Sequence, residues 1–255
     1  MALGAMLMGG FRSQAAEVAP LVGGNVEWKA VKLDPKKVAV AAYGNYGVGS
    51  CMYGSFRTIV EAMGEASKES NPAMSAAIKN FPFHLFQAGH SGVGGMGSLC
   101  GALNGCAAAF GLFVHEKAKC DKLTQELFGY YETTALPKWK PAKSGFGDIG
   151  SSVSGSVLCH VSQMKWCQAS GYSPFSKERT ERCKRLTVDI VTKAIEILNR
   201  YVENQDAKFV NPTTNNKSCL ECHGKGGIVE NVGAKMDCTT CHTTSPHPEM
   251  SATKK

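Results

Sequence analysis

The chain has 255 residues, of which 43% are hydrophobic and 19% charged, and it carries a net charge of +7, eleven cysteines and seven histidines. Such a length accommodates one ordinary domain with a small appendage and a well-buried core. The positive excess does not point to nucleic acid, since no Lys/Arg cluster is interleaved with aromatics in the way a nucleic-acid groove requires.

Residues 1–10 (MALGAMLMGG) are apolar, and small residues at Ser13 and Ala15 suit a signal-peptidase cut. Residues 1–16 therefore read as the remnant of a signal peptide, and the mature chain as periplasmic. The basic stretch that normally precedes such a run is missing, and a buried N-terminal helix is the competing reading. The run is too short to span a bilayer, and no other segment looks transmembrane. Residues 17–48 are mixed in character, with Pro35 and glycines at Gly44, Gly47 and Gly49, and read as loop and approach. From Cys51 onward, Phe56, Val60 and Met63 recur at helical spacing.

The segment 89–111 (GHSGVGGMGSLCGALNGCAAAFG) is the most unusual of the body. Its glycines let the backbone come close to another helix or to a prosthetic group, and from Ser98 it keeps a helical pattern through Leu99, Leu103, Cys106 and Phe110. It is not a dinucleotide fingerprint, because no strand precedes it and no acidic residue follows at the required distance. Helices are predicted over 120–133, ended by Pro137, and over 153–169, ended by Gly171. The strongest runs over 176–203: Ser176 caps it, Glu178 complements its dipole, and Leu186, Ile190, Ala194, Leu198 and Tyr201 form the apolar stripe. No alternating strand of useful length precedes residue 205. The fold class is mainly α: a helical, cysteine-rich domain over 17–205, then a small, irregular domain over 206–255 reached through the polar linker 204–217.

That last segment carries the chemistry. Cys219-Leu220-Glu221-Cys222-His223 and Cys238-Thr239-Thr240-Cys241-His242 are two copies of C-x-x-C-H, the signature of covalent c-type haem attachment. Two thiols three positions apart add to the two vinyl groups of one haem, and the adjoining histidine lies beneath the iron as an axial ligand. The same cysteines satisfy C-x2-C-x15-C-x2-C, a zinc-ribbon spacing, but zinc would leave both histidines without a role. Two haem c per chain are therefore expected, with His223 and His242 as proximal ligands. Their propionates offset much of the positive charge.

Seven further cysteines remain: Cys51, Cys100, Cys106, Cys120, Cys159, Cys167 and Cys183. Buried thiols and disulfides of an oxidising compartment are the plain readings of such a set. Yet Cys51, the string Cys100-Gly101-Ala102-Leu103-Asn104-Gly105, Cys159 and Cys183 resemble a redox-protein domain marked by four cysteines and C-G-A-x-x-G. With two haem motifs appended, and with the stretches GHSGVGGMGSLCGALNG, LCHVSQMKWC and ERCKRLTVDIVTKAIEILN, the whole resembles the split-Soret cytochromes c of sulfate-reducing bacteria over most of residues 45–245. The resemblance implies a homodimer with two closely stacked bis-histidine haems per subunit, each haem taking one histidine from the partner, and an iron–sulfur cluster of the [2Fe–2S] type in the body. Cys51, Cys100, Cys159 and Cys183 match the four-cysteine pattern and Cys167 is an additional candidate ligand. Cys106 and Cys120 have no place in it.

The sixth haem ligands must come from the remaining histidines or a methionine. His90, among glycines, and His247, between Pro246 and Pro248, are the candidates; His84 and His160 are reserves. Six-coordinate iron leaves no vacant site, so the function expected is electron transfer with redox partner proteins. A haem- or cluster-dependent reductase of small oxyanions, or a redox sensor, is the alternative. No Ser/His/Asp, paired-carboxylate or phosphate-loop constellation is present.

Overall fold

A computed structural model describes residues 26–143, 145–210 and 216–242; the expectations for residues 1–16 and for His247 lie outside the described residues. The architecture is mainly α, as the periodicity predicts. Helix α1 (Pro35–Ala66) is followed by α2 (Pro72–Lys79), a 3₁₀ turn (Phe83–Gly89), α3 (Gly101–Phe113) and α4 (Lys117–Thr133). A short antiparallel pair, β1 (Ala135–Leu136) and β2 (Ser152–Val153), precedes α5 (Cys159–Ser170), α6 (Lys177–Glu203) and α7 (Lys217–His223).

The expectation of loop over 17–48 fails from Pro35 onward. Asp34 caps α1, its side chain accepting the N–H groups of Lys36 and Lys37, and Pro35 supplies a first-turn φ at no cost in hydrogen bonds. The glycines that read as a turn lie inside this helix, and the break falls only at Gly49–Ser50, where Ser50 takes φ 67°. Cys51 thus begins a second helical stretch. The predicted helix over 153–169 starts later, at Cys159, because Val153 pairs in β2 and Gly155 adopts φ +61°. Helix α3 likewise begins at Gly101, since Leu99 forms an isolated bridge with Leu158.

The α6 expectation holds. Ser176 accepts the Arg179 N–H at 3.1 Å, and Leu186, Ile190, Ala194 and Leu198 are buried against α1, α3 and α4. Close packing of α1 on α3 depends on glycine. A Cβ on Gly105 would lie 2.1 Å from the Ser55 hydroxyl and 2.4 Å from the Met52 carbonyl. Two buried polar contacts fix register within this core. Asn199 exchanges hydrogen bonds with the Leu33 backbone at 3.0 and 2.7 Å, and Glu181 pairs with Arg185 at 2.7 Å with both side chains at most 2% exposed. Among the described residues no helix is long and apolar enough to cross a membrane.

Candidate functional site

Three of the singled-out cysteines stand at helix starts. Cys51 follows the break in α1, Cys100 is the N-cap of α3 and Cys159 is the first residue of α5. The bridge between Leu99 and Leu158 sets the last two side by side: the Cys100 N–H donates to the Val157 carbonyl at 2.9 Å and the Cys159 N–H to the Ser98 carbonyl at 2.7 Å. Cys183 comes from α6. Gly101 allows the approach of α1, since a Cβ there would stand 2.3 Å from the Cys51 sulfur.

The four thiols share one electrostatic neighbourhood. Burial pushes Cys51 up, and Cys100, Cys183 and Cys159 push it further. Burial, then Cys100 and Cys183, push Cys159 up to about 12. Cys100 is also raised by burial, although the Tyr131 hydroxyl and the backbone N–H groups of Leu103 and Ala102 work against that rise. The thiols of Cys51, Cys100 and Cys159 are therefore favoured in the neutral form unless a cation joins them. N–H groups aimed at sulfur, helix N-termini and a set of thiols from separate elements are the donor chemistry that an iron–sulfur unit takes. The residues fit such a group in kind. Among the described residues, however, no three His, Cys, Asp or Glu side chains close on one point as a single metal ion requires. Cys167, two turns along α5, is raised by burial and interacts with Cys183 and with Arg182 and Arg179. Cys106 is fully buried beside Ser55, Cys120 is half-buried on α4, and all eleven cysteines are unpaired.

The loop beside the Cys51 thiol is unusual. Ser91, Gly92, Val93, Gly94 and Gly95 all take positive φ, between 49° and 83°, and form a left-handed turn that only a glycine-rich sequence tolerates at this length. The Ser91 N–H faces the Cys51 sulfur. His90, exposed, enters this turn, and its carbonyl accepts the Gly95 N–H at 3.2 Å. His160, exposed beside Cys159, packs its Cβ over Gly97.

The two C-x-x-C-H strings are brought together. The first occupies α7; the second forms a turn in which His242 and Cys241 N–H groups donate to the Cys238 carbonyl at 2.9 and 3.2 Å. Asp237 starts that turn by accepting the Thr239 N–H at 2.8 Å. The Cys238 thiol is raised by desolvation and by Cys219, whose thiol is its neighbour. His223 Nδ1 lies 2.9 Å from the Asn231 side-chain oxygen. An acceptor oxygen at that distance suits the tautomer with its proton on Nδ1, which would leave Nε2 as the nitrogen for a metal.

This segment docks on α4 and on the chain before α5. The Asp237 N–H reaches the Glu132 carboxylate at 3.3 Å, Lys235 Nζ reaches Gln125 at 3.3 Å, and the Thr240 hydroxyl donates to the Gly155 carbonyl. An apolar crevice of about 260 Å³, lined by Phe128, Val157 and Met236 among others, lies in the joint. The strap 155–159 therefore touches the second C-x-x-C-H turn at one end and carries Cys159 at the other. Sequence reasoning missed the strap, and it also missed Arg182 and Tyr131. Both are buried against the thiols, but Arg182 sits in a string of charges that reads as solvated surface.

The chain matches a family described as redox-active protein (C_GCAxxG_C_C) over residues 53–197. That stretch contains Cys100, Cys159, Cys167 and Cys183 and begins two residues after Cys51. The chain as a whole is 42% identical over 231 residues to the split-Soret cytochrome c of Desulfovibrio desulfuricans, an alignment covering 87% of this chain and 80% of that protein. A solved structure described as a novel iron centre in the split-Soret cytochrome c of the same organism superposes with a TM-score of 0.78 at 40% identity, over 89% of this chain and 94% of the other.

Proposed function

The chain belongs to the split-Soret cytochrome c family, and is thus a c-type cytochrome with an electron-transfer role; from that premise we propose that it is a periplasmic dihaem electron carrier with an iron–sulfur centre in its helical body. One observation carries the dihaem reading: two complete C-x-x-C-H turns abut, with the Cys219 and Cys238 thiols as neighbours on one docked segment. Cys219 and Cys222 hold one haem, Cys238 and Cys241 the other. His223 and His242 are the proximal ligands, and His90 and His247 the candidates for the far faces, supplied across a homodimer. Each haem, when bound, supplies a one-electron site whose potential follows from its ligands and burial.

The chain's own groups do the rest. Asn231 orients the His223 ring, Asp237 shapes the second turn, and Glu132 and Gly155 seat the segment on the body. In the helical body, the thiols of Cys51, Cys100, Cys159 and Cys183, with Cys167 beside them, hold the iron–sulfur centre, of [2Fe–2S] type. The division near residue 205 into an iron–sulfur domain and a dihaem domain belongs to this reading.

The test is a pair of visible spectra, oxidised and reduced, with a pyridine haemochrome count, a non-haem iron assay and carbon monoxide addition. Two haems per chain, iron in excess of haem and no response to carbon monoxide are expected. A carbon monoxide shift would instead support a small-molecule reductase, and absence of haem would return the four C-terminal cysteines to zinc.

A further inference from the structure

Arg182 is 3% exposed, and among the described residues no carboxylate lies within ion-pair distance of it. Its Nη2 donates to the Ser162 hydroxyl at 2.6 Å and faces the Ser162 carbonyl at 3.4 Å, which fixes the plane of the guanidinium. Its Nη1 stands 4.0 Å from the Cys183 sulfur, and its Nε has no hydrogen-bond partner. The neighbouring Tyr131 hydroxyl, 1% exposed, also lacks a partner at normal distance; its polar neighbours are the Cys100 thiol and the Ser162 hydroxyl.

A guanidinium remains charged under all protein conditions. A buried charge is retained only where an opposite charge faces it. Around Arg182 the groups able to carry that opposite charge are the sulfurs of Cys183, Cys100, Cys159 and Cys167, on which it acts electrostatically, and the Tyr131 phenol, which burial holds in its protonated form. The other buried arginine of the body is differently placed, since Arg185 has the Glu181 carboxylate at 2.7 Å. We propose that Arg182 is the resident counter-charge of the thiolate pocket, a positioning residue that raises the reduction potential of the iron centre held there.

The inference rests on the iron–sulfur reading above. A unit ligated by thiolates gains one negative charge when it accepts one electron from a haem or a reducing partner. A fixed positive charge beside the sulfurs stabilises the reduced form more than the oxidised form, so its removal favours oxidation.

The experiment is a mediated redox titration of the whole haem-loaded protein, following the iron centre by electron paramagnetic resonance and the haems by their visible bands. Arg182→Met, of similar length and no charge, is compared with Arg182→Lys. The Met variant is expected to shift the one-electron equilibrium of the iron centre toward the oxidised form by about tenfold or more, 59 mV per tenfold for one electron. Arg182→Lys is expected to recover most of that shift, with the haem waves moving much less. If the Met variant retains too little iron to titrate, iron content becomes the reading: loss in Met with retention in Lys supports the charge role. An unmoved potential in Arg182→Met, or equal loss of iron from both variants, overturns it. An unmodified protein without non-haem iron would sink the iron reading itself, an outcome visible before any variant is made.

Discussion

The helical body and the C-x-x-C-H segment are held in place by different means. Between Pro35 and Glu203 the chain buries a continuous apolar cluster, with Phe56, Met63, Leu103, Phe110, Leu127 and Ile190 almost wholly shielded from water. Between residues 216 and 242 the buried residues are Asn216, Gly224 and Asp237, none of them an apolar side chain. The body is stabilised by removal of hydrocarbon from water, which scales with area and needs no cofactor. The tail is stabilised by hydrogen bonds to the body and by local turns, each contributing about 0.5–1.5 kcal/mol net. Under the proposed function, covalently attached porphyrin would supply the apolar material that this segment lacks. A region that cannot bury itself is where a prosthetic group takes over the role of a core.

The sharpest test of that contrast is removal of one attachment site. Cys219→Ala combined with Cys222→Ala is expected to halve the pyridine haemochrome count while the helical circular dichroism and the unfolding midpoint of the body stay nearly unchanged. A large fall in that midpoint would show that the two regions fold as one. The complementary change falls in the body. Glu181→Ala leaves Arg185 without the carboxylate that pairs with it in the interior, at a cost of about 3–5 kcal/mol in denaturant unfolding. Haem content per folded chain should not change.

Smaller effects refine the picture. Gly105→Ala drives a methyl into the Ser55 hydroxyl and Met52 carbonyl, and the overpacking should cost about 1–3 kcal/mol. Because α1 carries Cys51, the same variant should also perturb the iron centre's spectrum before it perturbs the haems'. The smallest effect is a pH dependence. Burial and the hydrogen bond to Glu181 push the Tyr43 phenol up from 10.0 to about 12. A raised folded value favours the protonated form, so this contribution is whole below pH 10 and disappears as pH rises toward 12. Tyr43 is only partly shielded, so the loss is slight. Tyr43→Phe should remove this alkaline slope from a plot of unfolding midpoint against pH.

The same two regions differ in how much of them the sequence discloses. Helix α6 was legible because Ser176 and a stripe at 3.6-residue spacing agree on its start and its inner face. The start of α1 carries an equally good signal in Asp34-Pro35, but the glycines at Gly44, Gly47 and Gly49 carry the opposing signal of a turn, and the helix tolerates them up to the break. In the tail the motifs are unmistakable while their arrangement is not, since the contact of Cys219 with Cys238 depends on a docking surface supplied by α4. The thiol pocket lies between these extremes. Cys100 and Cys159 were singled out, yet their adjacency follows from one bridge between residues fifty-nine positions apart, Leu99 and Leu158, which no local pattern encodes. Arg182 was hidden for a similar reason: nothing in Glu181-Arg182-Cys183-Lys184-Arg185 tells which charges face inward.

The strap 155–159 acts as a ruler. Five residues of main chain reach at most about 18 Å, and one end is pegged by Thr240 while the other presents Cys159 beside Cys100. A single inserted residue there would leave both motifs intact in the sequence and yet put their spacing out of register. Under the proposed function, the length of this short, plain segment is as much a part of the redox apparatus as the cysteine it carries.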